Sequence, residues 1–181
     1  MTKQDLLFKY NTAQKISTWG CHFDSLTELK FFLSIADDYT CLRSPVSIYY
    51  HPGTKQPSHQ IRLCCRRYTP DFLIRHKETG AAFLIEIKPR AFEGHPQLLT
   101  RKEVAENYIR KKGYDWQFMV VFDDEIILSE DGLEDFHECS RMRSRSEFAA
   151  WFRQYNQRVE RRCIPSLTAH KKIEFVIFSK R

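Results

Sequence analysis

From Ser25 to Tyr39 the chain reads SLTELKFFLSIADDY, where Leu26, Leu29, Phe32, Leu33 and Ala36 recur at the three- and four-residue spacing of one helical face. Asp24 or Ser25 supplies the side-chain acceptor that a helix N-terminus needs, and Glu28 sits one turn in, beside the apolar face. Between Ser44 and Pro89 the pattern changes to short runs. VSIYY, IRLCCRRY, PDFLIRH and AAFLIEIK are strand-like, are separated by HPGTKQPS and KETG, and predict a meander. The turn Lys77-Glu78-Thr79-Gly80 is short and contains glycine, so the last two runs should pair antiparallel. LLTRKEVAENYIRKKG then predicts a helix ending at Gly113, and WQFMVVF a buried strand after it. The order is helix, strands, helix, strand.

The remainder of the chain is marked by charge. From Asp115 to Glu138 acidic residues gather without a Lys or Arg, and beyond Arg141 the balance reverses through RMRSRSEFAAWFRQYNQRVERR. That basic stretch predicts a helix with Phe148, Trp151, Phe152 and Tyr155 inward, and KIEFVIF reads as a last strand. Its charged face suits either solvent or nucleic acid. We expect one domain over residues 1–181, with a core at about 24–128 and a basic helix and strand over 141–181.

Composition narrows the class. Hydrophobic residues at 42% and aromatic residues at 14% predict a folded core rather than disorder. The net charge of +6 suits a polyanionic partner such as DNA, because Lys and Arg release the counterions condensed on phosphates. Six cysteines would matter in a secreted chain, but the opening MTKQDLLFKY lacks the apolar core of a secretion signal. Reduced thiols and a cytoplasmic protein are therefore expected. No apolar run approaches the roughly 20 residues that span a bilayer, so no membrane partner is expected. Cys64 and Cys65 are adjacent, and Cys21, Cys41, Cys139 and Cys163 are scattered, which is not zinc-ligand spacing.

Three charges interrupt the predicted hairpin. In FLIEIK the period of two puts Glu86 and Lys88 on one face and Ile85 and Ile87 on the other. Asp71 follows Pro70 at the start of the paired strand, about as far from the KETG turn as Glu86 and Lys88, so the three should meet across the ladder. Two facing carboxylates repel unless a cation lies between them. Oxygen-only ligands with open positions suit Mg²⁺, with Mn²⁺ as a substitute, and such a centre assists phosphodiester hydrolysis. Asp71 and Glu86 would then be ligands, the Ile87 carbonyl would complete the set, and Lys88 would act on the attacking water. The other reading of the same residues is a salt bridge at a sheet edge. Arg66, Arg67, Arg90, Arg101 and Lys102 flank the triplet and could hold DNA phosphates without reading bases. Trp116 and Phe118 are expected in the core, and His95 in a loop without a chemical role.

Pro70-Asp71 followed by Glu86-Ile87-Lys88, behind a helix carrying Glu28 and ahead of a helix and strand, resembles the core of the PD-(D/E)xK nucleases. More narrowly, RRYTPDFLI, the FLIEIKPR run, RKEVAENYIRKKG and WQFMVVFDDEI resemble the TnsA-type endonucleases of heteromeric transposases, over roughly Leu26 to Leu128. The resemblance implies an α/β, restriction-endonuclease-like fold with a central mixed sheet flanked by helices in the order αβββαβ. It places Glu28, Asp71, Glu86 and Lys88 in the active site, with Glu28 among the metal ligands. It further implies Mg²⁺-dependent cleavage of one DNA strand at a transposon end, leaving a 5′-phosphate and a 3′-hydroxyl. The implied partners are a DDE transposase subunit, an ATPase regulator and a second copy of the chain. A stand-alone resolvase or restriction-type nuclease shares the fold, as does a non-catalytic DNA-binding or assembly subunit.

Overall fold

The computed structural model describes residues 16–18, 21–58, 64–142 and 145–162. In chain order the elements are β1 Ile16–Thr18, β2 Cys21–Phe23, α1 Leu26–Ile35, β3 Tyr39–Arg43, β4 Ile48–Tyr50, β5 Arg66–Tyr68, β6 Phe72–His76 and β7 Ala82–Lys88. They continue with α2 Pro96–Lys112, β8 Gln117–Phe122, α3 Glu130–Arg141 and α4 Arg145–Arg162. Two units emerge, one formed by Thr40–Phe122 and the other by the described residues on either side of that segment.

The Thr40–Phe122 unit is built on a mixed sheet of strand order β3-β6-β7-β8. β6 and β7 form the expected antiparallel hairpin, in register Phe72↔Ile85 and Ile74↔Phe83. Its turn is closed by His76 N–H donating to Ala81 O at 2.9 Å, with Gly80 at φ 73°, where a residue with a Cβ would be strained. β7 is central and almost wholly buried, with Leu84 and Ile85 fully enclosed. β8 pairs with β7 in parallel, Glu86 opposite Val120 and Lys88 opposite Phe122.

A parallel pair needs a crossover, which α2 provides. Pro96 occupies its first turn, where the missing N–H is no loss, and the His95 ring accepts the Gln97 N–H at 3.2 Å. Gly113 ends it in the left-handed conformation at φ 69°, as the sequence predicts. Leu98, Val104, Ala105, Tyr108 and Ile109 form its buried face, and the helix packs on β8 and β4.

The structure corrects the meander. β4 and β5 pair with each other as a separate antiparallel ribbon, Ile48 opposite Tyr68. The strand beside β6 is instead β3, Tyr39-Thr40-Cys41-Leu42-Arg43, where the sequence pattern predicts the end of a helix and a link. The helix stops at Ile35, and the β-branched and aromatic residues that follow favour extended chain. With β3 as first strand and β4–β5 as an insertion, the order αβββαβ holds. β8 and the residue before it are also less buried than expected: Met119 is 47% exposed, Phe118 is half-buried, and so is Trp116, which stacks on Tyr114 at 4.0 Å. Among the described residues β8 ends the strand order, with β7 as its neighbour.

In the other unit Ser25 caps α1 by accepting the Glu28 N–H at 3.2 Å. Leu29, Leu33 and Ala36 are buried as expected; Phe31 joins them, whereas Leu26 and Phe32 are half-buried. Phe32 still meets the rings of Phe23, Phe152 and Tyr155 at 5.5, 5.7 and 5.8 Å. On α4, Phe148, Trp151 and Tyr155 are buried as the sequence predicts, whereas Phe152 is half-buried. The acidic segment contains a helix, α3, that its charge pattern did not announce. Arg158 of α4 pairs with Asp135 of α3 at 2.7 Å, and Trp151 Nε1–H donates to Glu138 at 3.0 Å. The opposite charges of the two segments are thus complementary helix faces. The expected strand KIEFVIF lies outside the described residues. No described helix is long and apolar enough to cross a membrane.

Two measurements check this packing. Leu84→Ala, at the centre of β7, should cost about 2–5 kcal/mol of stability in urea unfolding. Burial, and secondarily the neighbouring Tyr114, pushes the Tyr108 phenol up to about 12. The unfolded chain releases this proton near pH 10 while the folded chain retains it, so stability should fall as pH rises from about 10 to 12 and be unaffected by this group below that window. Tyr108→Phe should flatten that part of the pH profile.

Candidate active site

The hairpin puts Asp71 at a point where the sheet itself aims the side chain. Asp71 N–H donates to Ile85 O at 3.0 Å, and Asp71 O accepts the Ser44 N–H at 2.8 Å. Its carboxylate then continues the ladder, with Oδ2 accepting the Ile87 N–H at 2.7 Å in place of a main-chain carbonyl. Pro70 fits this geometry: it is fully buried and lies just before the strand, where no ladder N–H is needed.

On β7, Glu86 and Lys88 share a face and touch. Glu86 is 1% exposed, and an unpaired carboxylate at that depth would cost several kcal/mol. Three donors answer it. Oε1 accepts Lys88 Nζ at 2.7 Å and the Arg101 guanidinium, and Oε2 accepts the Tyr68 hydroxyl at 2.8 Å. Burial, reinforced by Glu86, pushes the Tyr68 phenol far above its ordinary value, so it stays a protonated donor. For Arg101 burial disfavours the charge, but the Glu86 carboxylate outweighs it and the guanidinium is held above its ordinary value.

The Lys88 ammonium is where these groups meet. It lies 2.7 Å from Glu86 Oε1, 2.7 Å from the Ile87 carbonyl and 3.7 Å from Asp71 Oδ2. The three oxygens assigned to a metal from the sequence therefore converge on one cation. Among the described residues no three His, Cys, Asp or Glu side chains gather as a metal cluster. Two carboxylates and a carbonyl are nevertheless the hard, oxygen-only donor set that Mg²⁺ takes, leaving positions for water and phosphate. The residues fit that ion.

The other candidates fall in different places. Arg66 and Arg67 are exposed on β5. Arg90 lies over the Phe122 ring at 4.1 Å and pairs with Glu93 at 3.5 Å, and Lys102 is exposed 4.0 Å from Glu106. Arg101 differs from these four because its guanidinium is turned onto Glu86. Glu28 belongs to the other unit, where it is buried and its Oε2 accepts the Asp24 N–H at 3.1 Å, so the residue helps close the start of α1. His95 serves as the cap of α2. Sequence reading missed Tyr68. Its signal was a phenol at the end of a strand, just before Pro70-Asp71, since a buried tyrosine hydroxyl needs a polar partner.

A mixed α/β sheet with a carboxylate pair and a lysine at the end of its central hairpin defines a restriction-endonuclease-like core. Residues 42–120 match the family model of the TnsA-like endonuclease N terminal, a span that contains Asp71, Glu86, Lys88, Tyr68 and Arg101. The resemblance to TnsA-type endonuclease domains is supported over that span, and it points to a nuclease of the TnsA type. No curated protein matches the chain.

Tyr68→Phe keeps the ring and removes one charge-assisted hydrogen bond to a buried carboxylate, so urea unfolding should show a loss of about 1.5–3 kcal/mol. A change within about 0.5 kcal/mol would mean that Oε2 is satisfied by water instead.

Proposed function

We propose that the chain is a divalent-metal-dependent DNA endonuclease, the strand-cleaving subunit of a TnsA-like transposase that works with a DDE transposase subunit and an ATPase regulator. The observation that carries this reading is the convergence of Asp71 Oδ2, the Ile87 carbonyl and Glu86 Oε1 on a single cation, within the segment that matches the endonuclease family. Mg²⁺, or Mn²⁺ in its place, would be held by these oxygens, and when bound it supplies Lewis-acid polarisation of the phosphate and a more acidic water.

The chain's own residues do the rest. The Ile87 N–H holds the Asp71 carboxylate in one orientation, and Tyr68 does the same for Glu86. Lys88 orients the attacking water and offsets charge that develops on the phosphate oxygens. Water adds to phosphorus, the bond to the 3′ oxygen breaks, and that oxygen leaves as a hydroxyl, so the other fragment carries the 5′-phosphate. The exposed Arg66, Arg67 and Lys102, together with Arg90, are suited to hold backbone phosphates.

Nicking of supercoiled plasmid tests the reading, with wild type, Asp71→Ala and Lys88→Ala compared in Mg²⁺, Mn²⁺ and EDTA, alone and with the transposase subunit. Wild type should nick only with metal, and each substitution should lower the rate by at least about a hundredfold. Equal nicking by all three proteins would reduce the triplet to a salt bridge, and a wild type inactive with partner and metal present would leave a non-catalytic assembly subunit.

A further inference from the structure

The metal reading exposes a conflict at Glu86. Each carboxylate oxygen offers about two lone-pair positions, and Oε1 already accepts both Lys88 Nζ and the Arg101 guanidinium. Charge makes the same point. Asp71 and Glu86 carry two negative charges and Lys88 and Arg101 two positive ones, so these four groups are balanced among themselves. A divalent cation added with all four in place would leave two positive charges uncompensated around a carboxylate that is 1% exposed. Part of that excess is met by a DNA phosphate. The remainder is met if one of the two side-chain cations withdraws.

The two cations are not equally free to do so. Lys88 stands two residues from Glu86 on the same strand, so its stem keeps it beside the site. Arg101 reaches in from α2, and its side chain is 37% exposed. A guanidinium also forms good paired hydrogen bonds with phosphate oxygens, which gives it a second partner when substrate arrives.

We propose that Arg101 is a latch on Glu86: it competes with a divalent cation for Oε1 and swings off as the cation binds, which frees its guanidinium for a DNA phosphate. It is a positioning residue, since it acts through Glu86. The inference rests on the metal site proposed above. Its direction is opposite to that of an arginine that merely orients the carboxylate, because removing an orienting partner weakens metal binding and removing a competitor strengthens it.

Calorimetric titration of the full chain with Mn²⁺ in the absence of DNA separates the two without any turnover. Arg101→Gln should bind Mn²⁺ about tenfold more tightly than wild type, the lower end of the scale for one hydrogen bond to a charged group. Lys102→Gln, which removes the same charge one residue away, should match wild type, and Asp71→Ala should abolish binding. Equal or weaker binding by Arg101→Gln, or tightening by Lys102→Gln of the same size, overturns the latch and leaves the metal site standing. Absence of Mn²⁺ binding in wild type and Arg101→Gln alike, or binding that survives Asp71→Ala, overturns both. A wild-type measurement covers the case in which Arg101→Gln does not fold. The Arg101 Nε–H signal in nitrogen-15 NMR should move on saturation with Mg²⁺, and an unmoved signal overturns the latch.

Discussion

The Glu86 carboxylate is the constraint around which the Thr40–Phe122 unit is arranged. It is a charge placed on the central strand, almost without access to water, and it is tolerable only because Lys88, Arg101 and Tyr68 all donate to it. Those donors arrive from three elements: β7 itself, the helix α2 and the ribbon strand β5. Each therefore has to be in place for the carboxylate to be satisfied, and loss of any one leaves a buried acceptor short of a partner. A core strand of the same length filled with apolar residues would have needed none of this, and it could have offered a substrate no charge.

The topology serves that requirement. The antiparallel hairpin sets Asp71 across from the end of β7, and the parallel β7–β8 pair obliges the chain to cross over through α2, which carries Arg101 back to the same strand end. Caps at both ends hold α2 in register, with Pro96 and His95 at the start and Gly113 at the stop. The ribbon β4–β5, inserted between the first two strands of the sheet, delivers Tyr68 to the other oxygen. The site is thus a product of three connections rather than of one motif.

Much of this was legible in the sequence because it is local. Alternation along FLIEIK put Glu86 and Lys88 on one face, the short glycine-containing turn fixed the hairpin, and Gly113 marked the end of α2. The apolar spacing of Phe148, Trp151 and Tyr155 similarly exposed α4. What was not legible depends on distant partners. β3 is only five residues long and becomes a strand by lying beside β6, and the exposure of β8 goes with its place at the end of the strand order among the described residues. α3 escaped notice because its acidic residues look like solvated loop until Arg158 and Trp151 of α4 are set against them. Arg101 and Tyr68 carry no local sign that they share a carboxylate, since they lie 33 positions apart in the chain.

The substitution of the Asp71 carboxylate for a main-chain acceptor gives the site a built-in reporter. The Ile87 amide is bonded to that side chain, beyond the Phe72↔Ile85 end of the paired register of β6 and β7. Its hydrogen exchange with solvent therefore follows the orientation of the carboxylate itself, whereas the amides of Phe83 and Ile85 follow the opening of the hairpin. Disarming of the site is in this way visible at a single backbone nitrogen, apart from any opening of the hairpin.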